Sequence, residues 1–303
     1  MLQRIVLLAD LSNLRYYLWL RYLFIGYNVA SATNFPAYQF SSIQNMTNTI
    51  HILVTNDDGV TAPGLLALVK ELRNLGKVTI LAPDRNWSAS GHVKTLHRPL
   101  RVREVQLADD TQALACDGAP SDCVALAVLG LIPDEIDLVV SGINPNANLG
   151  HDVTYSGTVT AAMEAVIWGI PGLAVSLDAP ENHLGYLDFR SAARLARRVA
   201  EQVLNGDTPL GVVLNLNVPG LPDEEIAGLQ ITRQGTRVYQ DELITREDPR
   251  GKPYYWIGGD PPTGIPDPGT DFGALAEGYA TLTPLRLDMT DHAQLENLKL
   301  SME

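Results

Sequence analysis

The sequence predicts an α/β protein built on a doubly wound, mostly parallel sheet. Three observations predict it. Short apolar, β-branched runs recur without polar alternation, as expected of strands buried on both faces. Between them lie segments with apolar residues at helical spacing, so strand, helix and strand repeat as βαβ units. Loops rich in Gly, Asn, Asp and Ser follow the strands, where open α/β sheets place their sites.

Taken in order, Ile50–Thr55 is a buried strand ended by the turn Asn56-Asp57-Asp58-Gly59. Pro63-Gly64 opens a helix whose apolar face is Leu65, Leu68, Val69 and Leu72, and Lys77–Ala82 is the second strand. Ala119–Gly130 reads as a helix begun by Pro120 and Asp122, followed by a strand over Ile136–Val140. Thr158–Trp168 is a helix and Gly172–Ser176 a strand. Phe189, Ala192, Leu195, Val199 and Val203 mark one more helical face, ended by Asn205-Gly206 before the strand Val212–Leu216. The last third alternates charges with Tyr239, Tyr254, Tyr255 and Trp256 and then becomes rich in Pro and Gly up to Gly269. This reads as an extended hairpin arm over about 231–270, and exposed aromatics on an arm point to a protein contact. Gly278–Pro284 is the final strand.

Charge and composition exclude several classes. The 303 residues carry a net charge of −13, which leaves no basic excess to release counterions from a nucleic-acid duplex. The two cysteines, Cys116 and Cys123, form no metal-binding pair and read as buried thiols of a reducing, cytoplasmic compartment. Residues 1–45 differ from the rest. They hold 9 of the 20 aromatics and three arginines against the single acid Asp10, so residues 46–303 alone carry −15. The run from Leu14 to Ile25 is interrupted by Arg15 and Arg21 and is too short for a span of about 20 apolar residues. Residues 1–45 are therefore expected to be a non-native or disordered extension with translation starting at Met46, a signal segment being the rival reading, and no membrane partner is expected.

Three loops can carry chemistry. In the first, the adjacent carboxylates of Asp57 and Asp58 repel each other unless a cation joins them, and hard oxygen ligands suit magnesium, manganese or calcium. A turn with two solvated acids explains this motif alone equally well. The second, Ala82 to His92, offers Ser88 as a neutral oxygen ligand and Arg85, His92 and Lys94 to an anion, although capping serines account for it too. The third runs from Ser141 to Gly157, with three asparagines and three glycines in seventeen residues. Such a loop is costly in chain entropy and is usually kept for function. Asn144 can ligate a metal through its carbonyl oxygen, and Ser156-Gly157-Thr158 at a helix N-terminus can hold phosphate or simply cap the helix. No Gly-x-Gly-x-x-Gly, Gly-Lys-Ser/Thr or Gly-x-Ser-x-Gly motif is present.

Taken together, these segments resemble the SurE family of survival proteins, metal-dependent 5′-nucleotidases. The resemblance rests on Ile52 through Gly59, Ala82-Pro83-Asp84-Arg85 with Ser88, Gly118 through Val124, Val140 through Asn144, and Asn148-Leu149-Gly150 through Tyr155-Ser156-Gly157-Thr158-Val159. It covers the chain from about Ile50 to Pro284. One departure is Pro145-Asn146 after Asn144, where the family commonly has a glycine. The resemblance implies a Rossmann-like domain whose C-terminal β-hairpin arm joins a homodimer or homotetramer. It implies one divalent cation per subunit, Mg2+ or Mn2+, on Asp57, Asp58, Ser88 and Asn144. The implied reaction is hydrolysis of nucleoside 5′-monophosphates, with 3′-nucleotides and short polyphosphate as further substrates. Asp57, Asp58 and Asn144 are then the expected catalytic residues, and Asn144, Ser156, Gly157 and Thr158 the expected phosphoryl contacts. His92 and His151 are candidate leaving-group acids. A catalytically weak nucleotide-binding or sensing module is the alternative, and an interaction protein built around the arm is a third reading.

Overall fold

Strand β1 (His51–Thr55) lies near the middle of the sheet, and every one of its residues is buried, as its unbroken apolar run requires. The structure is a computed structural model that describes residues 49–179, 185–209, 211–295 and 297–298. The expectations for residues 1–45 lie outside the described residues.

Helix α1 (Pro63–Leu72) returns the chain to β2 (Lys77–Pro83), parallel to β1. Proline at its first turn costs no hydrogen bond. Leu65, Leu68, Val69 and Leu72 are fully buried, each contributing about 1.5–3 kcal/mol by leaving water. A hairpin of β3 (Val102–Gln106) and β4 (Gln112–Cys116) completes this edge, with β4 parallel to β2. Helix α2 (Pro120–Leu126) leads to β5 (Leu138–Asn144), which pairs with the other side of β1. Then come α3 (Gly157–Ile167), β6 (Gly172–Asp178), α4 (Arg190–Leu204) and β7 (Val213–Pro219). Strand β8 (Leu229–Ile231) forms the far edge. Beyond it β9 (Thr236–Glu247) and β10 (Pro253–Ile265) make a separate antiparallel hairpin, and α5 (Asp271–Ala276) precedes β11 (Ala280–Leu285). Among the described residues the sheet order is β3-β4-β2-β1-β5-β6-β7-β11-β8.

The doubly wound, mostly parallel sheet is thus observed, with antiparallel pairings at β3–β4 and β7–β11. The chain leaves β1 toward β2 on one side and returns to β5 on the other, so the switch point falls between β1 and β5. Several expected bounds change. The helix expected to reach Gly130 is regular only to Leu126, because Gly130 takes φ +111° in the π-type turn that follows. The arm is narrower than 231–270: Ile231 belongs to the main sheet, and only β9 and β10 project as the hairpin. The Pro/Gly-rich stretch after Trp256 continues β10 to Ile265, its register slipping between Asp260 and Thr263. Among the described residues no helix is long and apolar enough to cross a membrane.

Candidate functional site

The β1 strand ends in a turn that its own side chains shape. Asn56 is wholly buried and donates through Nδ2 to the Gly59 carbonyl at 3.0 Å, while Gly59 takes φ +103°, a region closed to most side chains. Asp57 and Asp58 are thereby presented at the carboxyl end of β1. The neighbouring end of β5 runs alongside, Thr55 in register with Ser141, and carries Asn144 three residues on.

Helix α3 meets this turn with its N-terminus. Thr158 Oγ1 donates to Asp57 Oδ1 at 2.5 Å, and the backbone N–H groups of Gly157 and Thr158 add to it. A Cβ on Gly157 would lie 2.8 Å from Asp57 Cβ, so only glycine lets the helix approach this closely. Ser156 caps the helix, its hydroxyl accepting from Val159 N at 3.1 Å. The cap foreseen for this N-terminus is present, and the group that its Thr158 hydroxyl and first backbone N–H groups meet is the side chain of Asp57.

The loop after β2 folds across the same turn. Trp87 N donates to the Asp57 carbonyl at 2.7 Å, and Gly91 N to the Tyr155 carbonyl at 2.9 Å. Ser88 is exposed between these two tethers, with its backbone N–H held by Asn86 Oδ1 at 2.7 Å. Ser90 Oγ is buried there with no hydrogen-bond partner among the described residues. Asn144 is half-buried and donates Nδ2 to the Asn146 carbonyl at 2.5 Å, which leaves its side-chain carbonyl oxygen as the ligating atom.

The electrostatics of the turn favour a cation. Burial raises the Asp57 pKa against the hydrogen bonds from α3 that lower it. Asp58 is pushed up to about 7, by burial first and then by the charge of Asp57. Among the described residues Asp58 Oδ2 is buried without a hydrogen-bond partner, an arrangement that costs free energy unless something positive meets it. A divalent cation fits this donor set. Among the described residues no group of three or more His, Cys, Asp or Glu gathers, so a cation here would need neutral oxygens beside the two carboxylates. Serine and asparagine on the two adjoining loops are of that kind.

Sequence reasoning missed the supports. Asn148 is buried and fastens its loop to β6 and β7: its Nδ2 donates to Ser176 Oγ at 2.7 Å, and Asn215 Nδ2 donates to its carbonyl at 2.9 Å. Asn217 Oδ1 accepts from Asn148 N at 2.8 Å. The signal was present, since Asn215 and Asn217 interrupt an otherwise apolar strand. Asp271 Oδ2 accepts from Gly150 N at 2.8 Å across 121 residues, and no local pattern announces that pair. His151 is exposed, whereas His92 lies against Glu164 on α3, with Nε2 to Oε2 at 2.8 Å.

Comparison with known proteins shows the family and the fold. The family model described as survival protein SurE matches residues 52–241. A protein of Chloroflexus aggregans named 5′-nucleotidase SurE is 52% identical over 250 residues, 82% of this chain and 98% of that one. One of the same name from Herpetosiphon aurantiacus is 53% identical over 253 residues, 84% of this chain and 98% of its own. The crystal structure of a SurE protein from Aquifex aeolicus superposes with a TM-score of 0.69 at 40% identity, covering 82% of this chain and 98% of that one. The family model and these relatives, about half identical along nearly their whole length, show that the chain belongs to the SurE family.

Proposed function

We propose that this protein hydrolyses nucleoside 5′-monophosphates to nucleoside and phosphate, with one divalent cation, Mg2+ or Mn2+, held by Asp57, Asp58, Ser88 and Asn144. The observation that carries this is the pair of adjacent, desolvated carboxylates at the β1–β5 switch point, with Asp58 Oδ2 buried and unpartnered. The substrate class follows from the relatives, which are named 5′-nucleotidases and align over nearly their whole length.

The cation would supply a Lewis acid that offsets phosphoryl charge in the transition state. The remaining work belongs to this chain. Thr158 and the N-terminus of α3 hold Asp57 in place by hydrogen bonds, so Gly157 and Thr158 act on the phosphoryl group through Asp57. Asp58 is the carboxylate proposed to orient the attacking water or take a proton from it. Asn144 and Ser156 are the polar side chains left to orient phosphoryl oxygens, Ser156 through the hydroxyl proton that capping does not use. His92 is not assigned as leaving-group acid, since its Nε2 is engaged by Glu164. The two buried free cysteines accord with a reducing, cytoplasmic setting, and the β9–β10 arm, with Leu243, Trp256 and Ile257 exposed, is the proposed contact between copies.

Phosphate release from a panel of nucleoside 5′- and 3′-monophosphates and short polyphosphate, with Mn2+, Mg2+ or EDTA, tests the reading. Metal-dependent release that EDTA abolishes is the expected result. A folded protein that binds nucleotide but releases no phosphate with any metal would instead be a sensing module.

A further inference from the structure

The mechanism above leaves one buried charge unused. Glu164 lies on α3 six residues beyond Thr158, about 9 Å along the helix axis, and is only 3% exposed. A carboxylate so buried must be matched by donors, and three are present. His92 Nε2 lies 2.8 Å from Oε2, Lys94 Nζ donates to Oε1 at 2.9 Å, and Trp168 Nε1 donates to Oε1 at 2.9 Å. Lys94 also sits 5.6 Å from the Trp168 ring centroid, in cation–π range. Burial works to raise the Glu164 pKa, but His92, Lys94 and Trp168 hold it at about 2, so it is ionised at any physiological pH.

Two of these donors lie on the loop after β2. That loop is tied at its start by Trp87 N to the Asp57 carbonyl and in its middle by Gly91 N to the Tyr155 carbonyl. Thr160 Oγ1 of α3 donates to the Gly91 carbonyl at 3.1 Å. Ser88 and Ser90 lie between the ties, and Ala89 takes φ +56°, which an alanine adopts only when its surroundings impose it. The neutral hydrogen bonds at Trp87 and Gly91 are modest. The charged bonds to Glu164 are the stronger tether.

We propose that Glu164 is a positioning residue that fastens the Ser88–Ser90 loop to α3, the helix that also orients Asp57, so that the serine and carboxylate ligands are held as one rigid unit. The inference rests on the cation site described under Proposed function. It makes α3 the common scaffold of two loops far apart in sequence: Thr158 reaches Asp57 and Glu164 reaches His92 and Lys94.

The test compares the full-length wild type with Glu164→Gln and Lys94→Met, by hydrogen–deuterium exchange without metal and by the Mn2+ concentration giving half-maximal phosphate release. For Glu164→Gln, loss of the charged bonds should speed exchange over residues 87–94 about tenfold while β1, β5 and β6 keep wild-type protection. The Mn2+ requirement should rise about tenfold, with kcat at saturating Mn2+ changed much less. Lys94→Met, which leaves Glu164 with His92 and Trp168, should show the same pattern more weakly, and it decides the matter if Glu164→Gln does not fold. Unchanged exchange in the loop, equally faster exchange through the whole sheet, or an unchanged Mn2+ requirement would each overturn the proposal. A wild type that releases no phosphate with any metal would overturn the proposed function instead, and the exchange comparison would still decide whether Glu164 anchors the loop.

Discussion

The Asp57 carboxylate accepts the Thr158 hydroxyl and the first N–H groups of α3, so changing it removes both a charge and the partner of a helix end. Asp57→Asn is expected to lower metal-dependent phosphate release by about a hundredfold or more, while far-UV circular dichroism stays that of the wild type. Release within a fewfold of wild type at the same metal concentration would move the site elsewhere. Asp58 makes a second, independent prediction through pH. Burial and the neighbouring charge of Asp57 push its pKa in the folded, metal-free protein up to about 7, well above the ordinary carboxylate range. The folded state therefore holds the proton more tightly than the unfolded chain. That contribution is fully present below the unfolded pKa and is lost as pH rises through about 7. In EDTA, the melting temperature should accordingly fall between pH 5 and pH 8, apart from other groups, by more in the wild type than in Asp58→Asn. Added Mn2+ should stabilise the wild type more at pH 8 than at pH 5, because the ionised carboxylate is the form that binds it. A melting temperature with the same pH dependence in both proteins would contradict the assignment.

Elements are placed by close backbone approaches as much as by apolar faces. Helix α3 comes against the Asp57 turn because residue 157 has no side chain. Gly157→Ala should raise the helix propensity of α3 by about 1 kcal/mol and still impair the site, because its Cβ would push on Asp57. The expected outcome is a fall of at least about tenfold in turnover with little loss in urea stability. A variant that is both more stable and fully active would show that the close approach is incidental. At this scale the central strands were legible. Strands buried on both faces read as largely apolar runs, and β1, β2, β5 and β6 each show one, while β7 is apolar except at Asn215 and Asn217. Strands β3 and β8 escaped notice because they lie at edges, half exposed, with sequences such as Val102-Arg-Glu-Val-Gln106 that a loop could equally carry. Helix α5 escaped because six residues give too little periodicity to read.

For the whole molecule the open question is what the arm meets. Among the described residues its two long strands pair with each other alone, and they leave Ile257 85% exposed and Trp256 63% exposed. Replacing Leu243, Trp256 and Ile257 together by serine should convert an oligomer into a monomer in sedimentation-velocity runs, with the main sheet intact by circular dichroism. A wild type that is monomeric at the highest concentrations would leave the arm without that role. The root of the arm also touches the site loops: Tyr239 donates to Asp152 Oδ1 at 2.8 Å, and Gln234 Nε2 donates to the Gly150 carbonyl at 2.8 Å.

The fold class, the order of the central elements and the three chemistry-bearing loops were readable from residues alone. Apolar periodicity and turn chemistry are local properties, and a parallel sheet forces its loops to one end. The resemblance carried by those loops was readable too, because each motif is a short contiguous string. What local sequence does not encode is pairing at long range. Thr158 finds Asp57 across 101 residues, Lys94 finds Glu164 across 70, and Asp271 finds Gly150 across 121. Several of these residues stand out in their own loops, but nothing in those loops names the partner. Their roles follow from the winding of the sheet, which brings α3 and the loop after β2 to the ends of β1 and β5, where buried polar groups must find partners or cost the fold its stability.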